Sequence, residues 1–282
     1  MSKYLITGGE GFIGSKIVKN VGGFSFDLKS GLDILDQSQI DNAVTDMTGV
    51  FHCAAKISVP ESISLPDLYY KTNVKGTESV LNAVEKTKSK IVFSSSAAVY
   101  GESNVAVSET SELNPKSPYA QNKIDGENIL KKSSIPHVAL RYFNVYGPGQ
   151  SAQYAGVITF FIQNALSGKD LLIHGDGNQV RDFVFVDDIV KANVLAMNYK
   201  NTSFEVFNIG SGTQTSIKTL AETIISLTNS SSKIIYSTPR LGDITYSQAD
   251  VYKAKSILGW KIETSLEQGL EQTINYYKNI QN

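Results

Sequence analysis

The sequence predicts an α/β protein built on a doubly wound parallel sheet, and three observations carry that prediction. Short apolar runs bounded by Gly, Ser and Asp alternate with stretches of helical periodicity. The first run, Tyr4-Leu5-Ile6, leads directly into the glycine-rich TGGEGFIG (7–14) and then a helical pattern. The alternation continues without an internal repeat, as consecutive βαβ units do. At 282 residues the chain can bury a full core, as one large domain or two intimately packed ones.

The elements follow in order. A helix is expected over Ile13 to Val21, a strand at Phe24-Ser25-Phe26, a strand at Val50-Phe51-His52-Cys53, and a longer helix around Asn73 to Glu85. Ile91-Val92-Phe93 reads as the fourth strand, followed by a helix carrying Tyr119 and Lys123 and by a strand at Val138-Ala139-Leu140. The pattern fits best up to Gly147-Pro148-Gly149, which sets a first domain at 1–149, with segments near 183–209 returning to it. A smaller α/β domain is expected over 150–282, with turns at HGDGN (174–178) and IGSGT (209–213) and helices at Ile217 to Leu227 and Leu266 to Tyr277.

Composition removes several function classes. Lys and Arg number 26 against 27 Asp and Glu, and this near-neutral balance argues against a nucleic-acid or membrane-surface protein. No apolar stretch approaches the roughly 18 residues that span a bilayer, and MSKYLITGG lacks a charged segment followed by an apolar one. The single cysteine, Cys53, excludes an internal disulfide and suits a reducing, cytoplasmic compartment. His52, His137 and His174 are scattered, so no metal-ligand spacing exists and no metal is expected.

The glycines of TGGEGFIG fit two spacings, Gly9-x-Gly11-x-x-Gly14 and Gly8-x-x-Gly11-x-x-Gly14, and both serve the same physics. A tight turn without side chains brings backbone N–H groups to a pyrophosphate at the positive end of a helix, and Gly14 lets that helix pack closely on the sheet. Asp27 lies about twenty residues after Gly8, at the end of the second strand, where a carboxylate accepts from an adenosine ribose diol and repels a 2′-phosphate. The expected cofactor is NAD rather than NADP.

PYAQNK (118–123) places Tyr119 and Lys123 on one helix face. By itself the pairing decides little. Beside a dinucleotide site it reads as a general base with its activating cation, because a cation favours the phenolate over a phenol of pKa near 10. FSSSAAVYG (93–101) follows the fourth strand, and a parallel strand delivers its C-terminal end to the ligand crevice, where hydroxyls are useful.

Taken together, TGGEGFIG, SSSAAVYG, YAQNK and RYFNVYGPG (141–149) occur in the order of the extended short-chain dehydrogenase/reductase family. The chain resembles its nucleotide-sugar branch, most closely the UDP-glucose 4-epimerases. The likeness extends through VRDFVFVDD (180–188), FNIGSG (207–212) and RLGDITYSQADVYKAKSILGW (240–260), nearly the whole chain. It implies a Rossmann-type NAD domain with a C-terminal substrate-binding domain. It further implies that Tyr119 is the base, Lys123 its activator and a holder of the nicotinamide ribose, and that Ser96 hydrogen-bonds the reacting sugar hydroxyl. Phe12, Ile13, Asp33, Ile34, Ala54, Ala55, Asn73 and Tyr142 match the family's other cofactor contacts. Phe143, Asn144, His174, Arg181, Arg240 and Asp243 match its substrate contacts, and two arginines suit a diphosphate because each guanidinium offers a planar fork of donors.

The reaction implied is reversible inversion at C4 of a UDP-hexose through a transient 4-keto sugar, with NAD retained. A 4,6-dehydratase needs an Asp-Glu pair after the catalytic hydroxyl, and Ala97 and Ala98 stand there instead. A UDP-uronate 4-epimerase or decarboxylase remains an alternative, as does a non-catalytic NAD-sensing regulator. Ser247 aligns with a position lining the sugar pocket, and a small side chain leaves room for a 2-acetamido group, unless Tyr246 fills that space. The family resemblance also implies a homodimer through helices near 70–86 and 119–133. The chain departs from longer members in the shortness of KNVGGFSFD (19–27).

Overall fold

The computed structural model describes residues 3–151, 156–200, 202–239 and 244–281. β1 (Tyr4–Thr7), β2 (Phe24–Phe26), β3 (Gly49–His52), β4 (Lys90–Ser96), β5 (Val138–Tyr142) and β10 (Glu205–Ile209) form one six-stranded sheet. Every pairing is parallel, in the order β10-β5-β4-β3-β1-β2. The chain steps outward from β1 to β2 and then crosses to β3 on the other side. That reversal opens a crevice at the C-terminal ends of β1 and β3, the place where such sheets bind ligands.

Strand residues alternate between two buried faces, as a sheet covered on both sides requires. Ile6, Phe51, Val92, Leu140 and Phe207 pack on one side with Ile17 of α1 (Phe12–Val21) and Ile189 and Ala192 of α8 (Val186–Asn198). Leu5, Val50, Ile91, Phe93 and Ala139 face the other, under α2 (Gln37–Val44), α5 (Gly76–Thr87) and α6 (Pro118–Lys131). α1 stops at Gly22, whose φ of 63° closes the left-handed cap with its N–H on Val18 O. This cap lets KNVGGFSFD turn into β2 in few residues.

Between β3 and α5 the structure exceeds the sequence expectation. α3 (Val59–Ser64) is capped by Ser58, and α4 (Pro66–Tyr70) runs through a π turn at Lys71–Lys75 into α5. The helix expected from Asn73 therefore starts earlier. Pro60 and Pro66 each sit in a first helical turn, where the missing N–H has no acceptor to lose.

Beyond β5, short strands pair off the main sheet. β6 (Asn144–Tyr146) runs parallel to β9 (Phe183–Phe185), and β7 (Leu171–His174) to β12 (Ile234–Ser237). β8 (Val180–Arg181) runs antiparallel to β11 (Thr215–Ser216). α7 (Val157–Leu166), α9 (Ile217–Thr228) and α11 (Leu266–Gln281) enclose a second core around Phe161, Ile162, Leu220, Ile224 and Ile274. α10 (Tyr252–Leu258) lies against β10, with Ala254 and Leu258 in the core of the main sheet. Among the described residues no helix is long and apolar enough to cross a membrane.

Candidate active site

The glycine loop sits at the mouth of the crevice. Gly8 adopts φ +69°, and a Cβ there would lie 2.8 Å from Ala54 N, so loop and β3 exit are in backbone contact. A Cβ on Gly14 would lie 2.1 Å from Gly8 O, which is why the helix can follow so closely. α1 begins at Gly11 with no side-chain cap, so its first-turn N–H groups are left for a ligand. This cradle fits a dinucleotide's diphosphate. The side chains of Phe12 and Ile13 pack against the second core, which leaves their backbone for the crevice.

Asp27 stands at the end of β2. Its Oδ2 accepts from Glu10 N at 2.9 Å and its Oδ1 from Lys29 N at 3.0 Å, fixing the carboxylate beside the loop with acceptor capacity remaining on each oxygen. Asp33 accepts from Leu35 N at 2.9 Å and holds its own turn. The Ile34 side chain is 6% exposed and belongs to the core, wedged where a Cβ on Gly76 would be 2.4 Å from its Cδ1. Ala54 and Ala55 follow β3. Asn73, in the π turn, clamps the next residue of that loop, accepting from Lys56 N at 2.8 Å and donating to Lys56 O at 2.9 Å.

Ser96, Tyr119 and Lys123 come together at the end of β4. Ser96 caps a 3₁₀ turn over Ala97–Tyr100, accepting from Ala98 N at 3.2 Å, and it hydrogen-bonds the Tyr119 phenol. Ser117 caps α6 with Pro118 in the first turn, so Tyr119 enters the site from a fixed helix start. Lys123 is 4% exposed and donates to Ser94 O at 2.7 Å, with its ammonium 5.8 Å from the Tyr119 ring. Burial pushes Lys123 down to about 8. The expectation that Lys123 lowers the Tyr119 phenol needs correction for the chain by itself. Burial raises that phenol, and the opposing effect comes from the Ser96 hydrogen bond, because the ammonium is itself desolvated and committed to a carbonyl. Tyr142 lies beneath, its hydroxyl on Ser94 Oγ at 3.3 Å and on Asn193, and burial raises it as well.

The residues matched to the substrate form a second group. Asn144 donates twice to Asp182 O, at 2.9 Å and 3.0 Å. Ser247 N donates to Val180 O at 3.1 Å, and Arg181 Nη1 to the same carbonyl at 3.0 Å, so these three share one framework. Tyr246 bonds Gln214 and Gln248 through its hydroxyl. Tyr246 itself stands in an isolated bridge with Val180. His174 lies at the end of β7, its Nδ1 within 3.2 Å of Thr238 O, and its carbonyl accepts from the Gln179 side chain. The Phe143 side chain is 6% exposed and stacks on Tyr100 in the core, and its N–H donates to Ile209 O at 3.0 Å. Arg240 and Asp243 lie outside the described residues.

Two supports of this arrangement escaped the sequence reading. The Asp182 carboxylate, fully buried, accepts from Ser211 N at 2.6 Å, Ser211 Oγ at 2.8 Å, Gly212 N at 2.9 Å and Ala249 N at 3.0 Å, tying the segment that bears Ser247 to the β10 exit. It stands in VRDFVFVDD beside Arg181, but nothing local marks its partners. Glu102, two residues past the turn that follows Ser96, accepts from Thr245 N at 3.0 Å and joins the two groups.

A sequence profile described as the NAD dependent epimerase/dehydratase family matches residues 4–210. The chain is 39% identical to a Methanocaldococcus jannaschii protein provisionally named UDP-glucose 4-epimerase, over 98% of each chain. It is 34% identical to a UDP-N-acetyl-α-D-glucosaminuronate decarboxylase of Bacillus cytotoxicus, over 99% of this chain and 98% of that one. Its fold superposes with a TM-score of 0.92 on the crystal structure of UDP-glucose 4-epimerase with UDP-glucose from Thermotoga maritima, at 35% identity and 99% coverage of both chains.

Proposed function

The chain belongs to the NAD dependent epimerase/dehydratase family, and from that premise we propose that it is a reversible C4 epimerase of UDP-hexoses, with NAD as its resident cofactor. The observation that carries the reading is the convergence of Ser96, Tyr119 and Lys123 beside the glycine cradle, with Ala97 and Ala98 where a dehydratase needs carboxylates. NAD, held by the loop backbone, Asp27 and Lys123, supplies oxidation and re-reduction at C4. Tyr119 takes the proton of the C4 hydroxyl and later returns it, Ser96 orients that hydroxyl, and Lys123 together with the positive nicotinamide ring favours the phenolate once NAD is bound, an effect absent in the chain by itself. Asn144, Arg181, Arg240 and Asp243 are assigned to the nucleotide diphosphate half, and the 70–86 and 119–133 helices to a homodimer contact.

The test is a product assay without added NAD on UDP-galactose, UDP-N-acetylgalactosamine and UDP-galacturonate separately. Conversion of the first two to their gluco partners supports the proposal. Reaction of the uronate alone moves the assignment to the uronate epimerases or decarboxylases, which the Bacillus cytotoxicus relative represents. No turnover with NAD bound favours a non-catalytic sensor.

Ser247 supports acceptance of the acetamido sugar: its side chain is small, and the Tyr246 hydroxyl is engaged by Gln214 and Gln248. Ser247→Tyr is expected to depress turnover of UDP-N-acetylgalactosamine by about tenfold or more relative to UDP-galactose, from steric conflict in a packed site. Equal losses on both sugars would remove Ser247 from specificity.

Lys123 also sets a pH limb. It acts as a cation, and burial places its proton loss at about 8 in the free chain, so kcat/KM is expected to fall as pH rises through that value. In Lys123→Arg, whose guanidinium keeps its charge, the limb should move out of the measured range. A limb unmoved by that substitution would belong to another group.

A further inference from the structure

On the sheet face covered by α5, parallel register sets Thr7 opposite His52, and His52 opposite Phe93. Paired residues project to the same side. Thr7 ends β1 immediately before the glycine loop, His52 ends β3 immediately before Cys53 and Ala54, and Thr77 lies in α5 one turn after Asn73. All three side chains are essentially fully buried. Thr7 Oγ1 is 2.7 Å from His52 Nδ1, and His52 Nε2 is 2.9 Å from Thr77 Oγ1.

The two ends of this row fix where its protons lie. Thr77 Oγ1 donates to Asn73 O at 2.7 Å, so its one proton is used and it can only accept from His52. His52 Nε2 must then carry the hydrogen. The imidazole is neutral, because burial pushes its pKa down to about 3 and the Lys123 cation adds to that effect. Nδ1 is therefore an acceptor and receives a hydrogen bond from Thr7 Oγ1–H, while Thr7 Oγ1 itself accepts from Ala54 N at 3.3 Å. The chain of donors runs one way, from Ala54 N–H through Thr7, His52 and Thr77 to the carbonyl of Asn73.

We infer that His52 is a positioning residue for the cofactor: as the neutral Nε2–H tautomer it couples the glycine loop and β3 exit to the π turn that aims Asn73. The coupling has a physical basis. Each of the four links has a single allowed direction, so a shift of the Asn73 carbonyl cannot be absorbed by reversing a hydroxyl and must move Thr7 or Ala54. Asn73 in turn clamps Lys56 at both its N–H and C=O, so the ligand-side loop after β3 is held from its two ends by one buried network. His52 touches neither cofactor nor sugar. The inference rests on the reading of the glycine loop and Asn73 as parts of an NAD site.

The experiment has two arms. Nitrogen-15 NMR of the imidazoles of the full chain at pH 7, without cofactor, is expected to show for His52 a protonated Nε2 and an unprotonated Nδ1; a protonated Nδ1 overturns the inference. The second arm measures NADH affinity by fluorescence on chain stripped of its resident NAD. Thr77→Val, isosteric and remote from the glycine loop, and His52→Phe, similar in shape, are each expected to raise the Kd for NADH about tenfold, the order of one or two lost hydrogen bonds. In the His52→Phe background Thr77→Val should add nothing, since the link is already cut. Unchanged affinity in Thr77→Val, or effects that multiply, would show two independent structural residues and overturn the coupling. Should His52→Phe fail to fold, Thr77→Val and the spectrum still decide. Absence of NADH binding by the unsubstituted chain would instead overturn the cofactor reading, and the cofactor-free spectrum separates that failure from this one.

Discussion

Replacing Tyr119 by phenylalanine is expected to cut turnover by about 10²- to 10⁴-fold, the range that a positioned acid–base group supplies. The substitution removes one oxygen and keeps the ring, so the packing of α6 and the Lys123 contact with Ser94 O should persist. The loss should therefore appear in kcat, with NAD still retained by the purified protein. Ser96 keeps its place through the Ala98 N–H bond even without the phenol, so sugar binding should change little. Near-normal turnover in Tyr119→Phe would remove the phenol from the reaction and leave Lys123 or a water as the proton carrier.

The largest expected effect on stability lies behind the site. Arg141 and Glu127, 5% and 6% exposed at their side chains, form a two-pronged ion pair, Nη2 to Oε2 at 2.6 Å and Nε to Oε1 at 2.9 Å. Ser95 donates to Glu127 Oε1 at 2.5 Å, and Arg141 Nη1 donates to the Tyr100 hydroxyl at 2.8 Å, which in turn donates to Asn208 Oδ1 at 2.7 Å. The network pins α6 to the C-terminal halves of β4 and β5, the elements that deliver Tyr119, Lys123 and Ser96. Arg141→Met leaves a buried carboxylate unpaired and is expected to cost about 3–5 kcal/mol in urea unfolding. Glu127→Gln combined with Arg141→Met removes both charges and should recover most of that loss, because desolvation of the pair offsets much of its attraction. A single substitution within about 1 kcal/mol of the unsubstituted protein would show that water reaches the pair.

Much of the frame was legible because its signals are local. The strand–glycine loop–helix order at 4–21 depends on residues in contact along the chain, and it appears in the structure within a residue or so. Ser96, Tyr119 and Lys123 were legible only in company: the Tyr-x-x-x-Lys spacing decides little until a dinucleotide loop stands beside it, and Ser96 was singled out by the family resemblance. α3 and α4 were not, since Pro60 and Pro66 carry the same letter whether they break a helix or begin one. Ile34 and Phe143 were matched as ligand contacts, and burial instead commits their side chains to the core, a property of neighbours far along the sequence.

The sequence by itself determined the class of this protein: a parallel α/β sheet, a dinucleotide cradle at its first turn, and a tyrosine–lysine pair on one helix face. Those features follow from periodicity, from backbone freedom at glycine and from spacing, all of which act over a few residues. Tertiary structure alone decided what holds and tunes them. Burial, not the neighbouring cation, sets the direction of the Tyr119 phenol in the free chain. The partners of Asp182, Glu127 and His52 come from segments up to 67 residues away, as in the Ala249 bond to Asp182. Desolvation and buried hydrogen bonding depend on what surrounds a group in space, and only the folded chain specifies that.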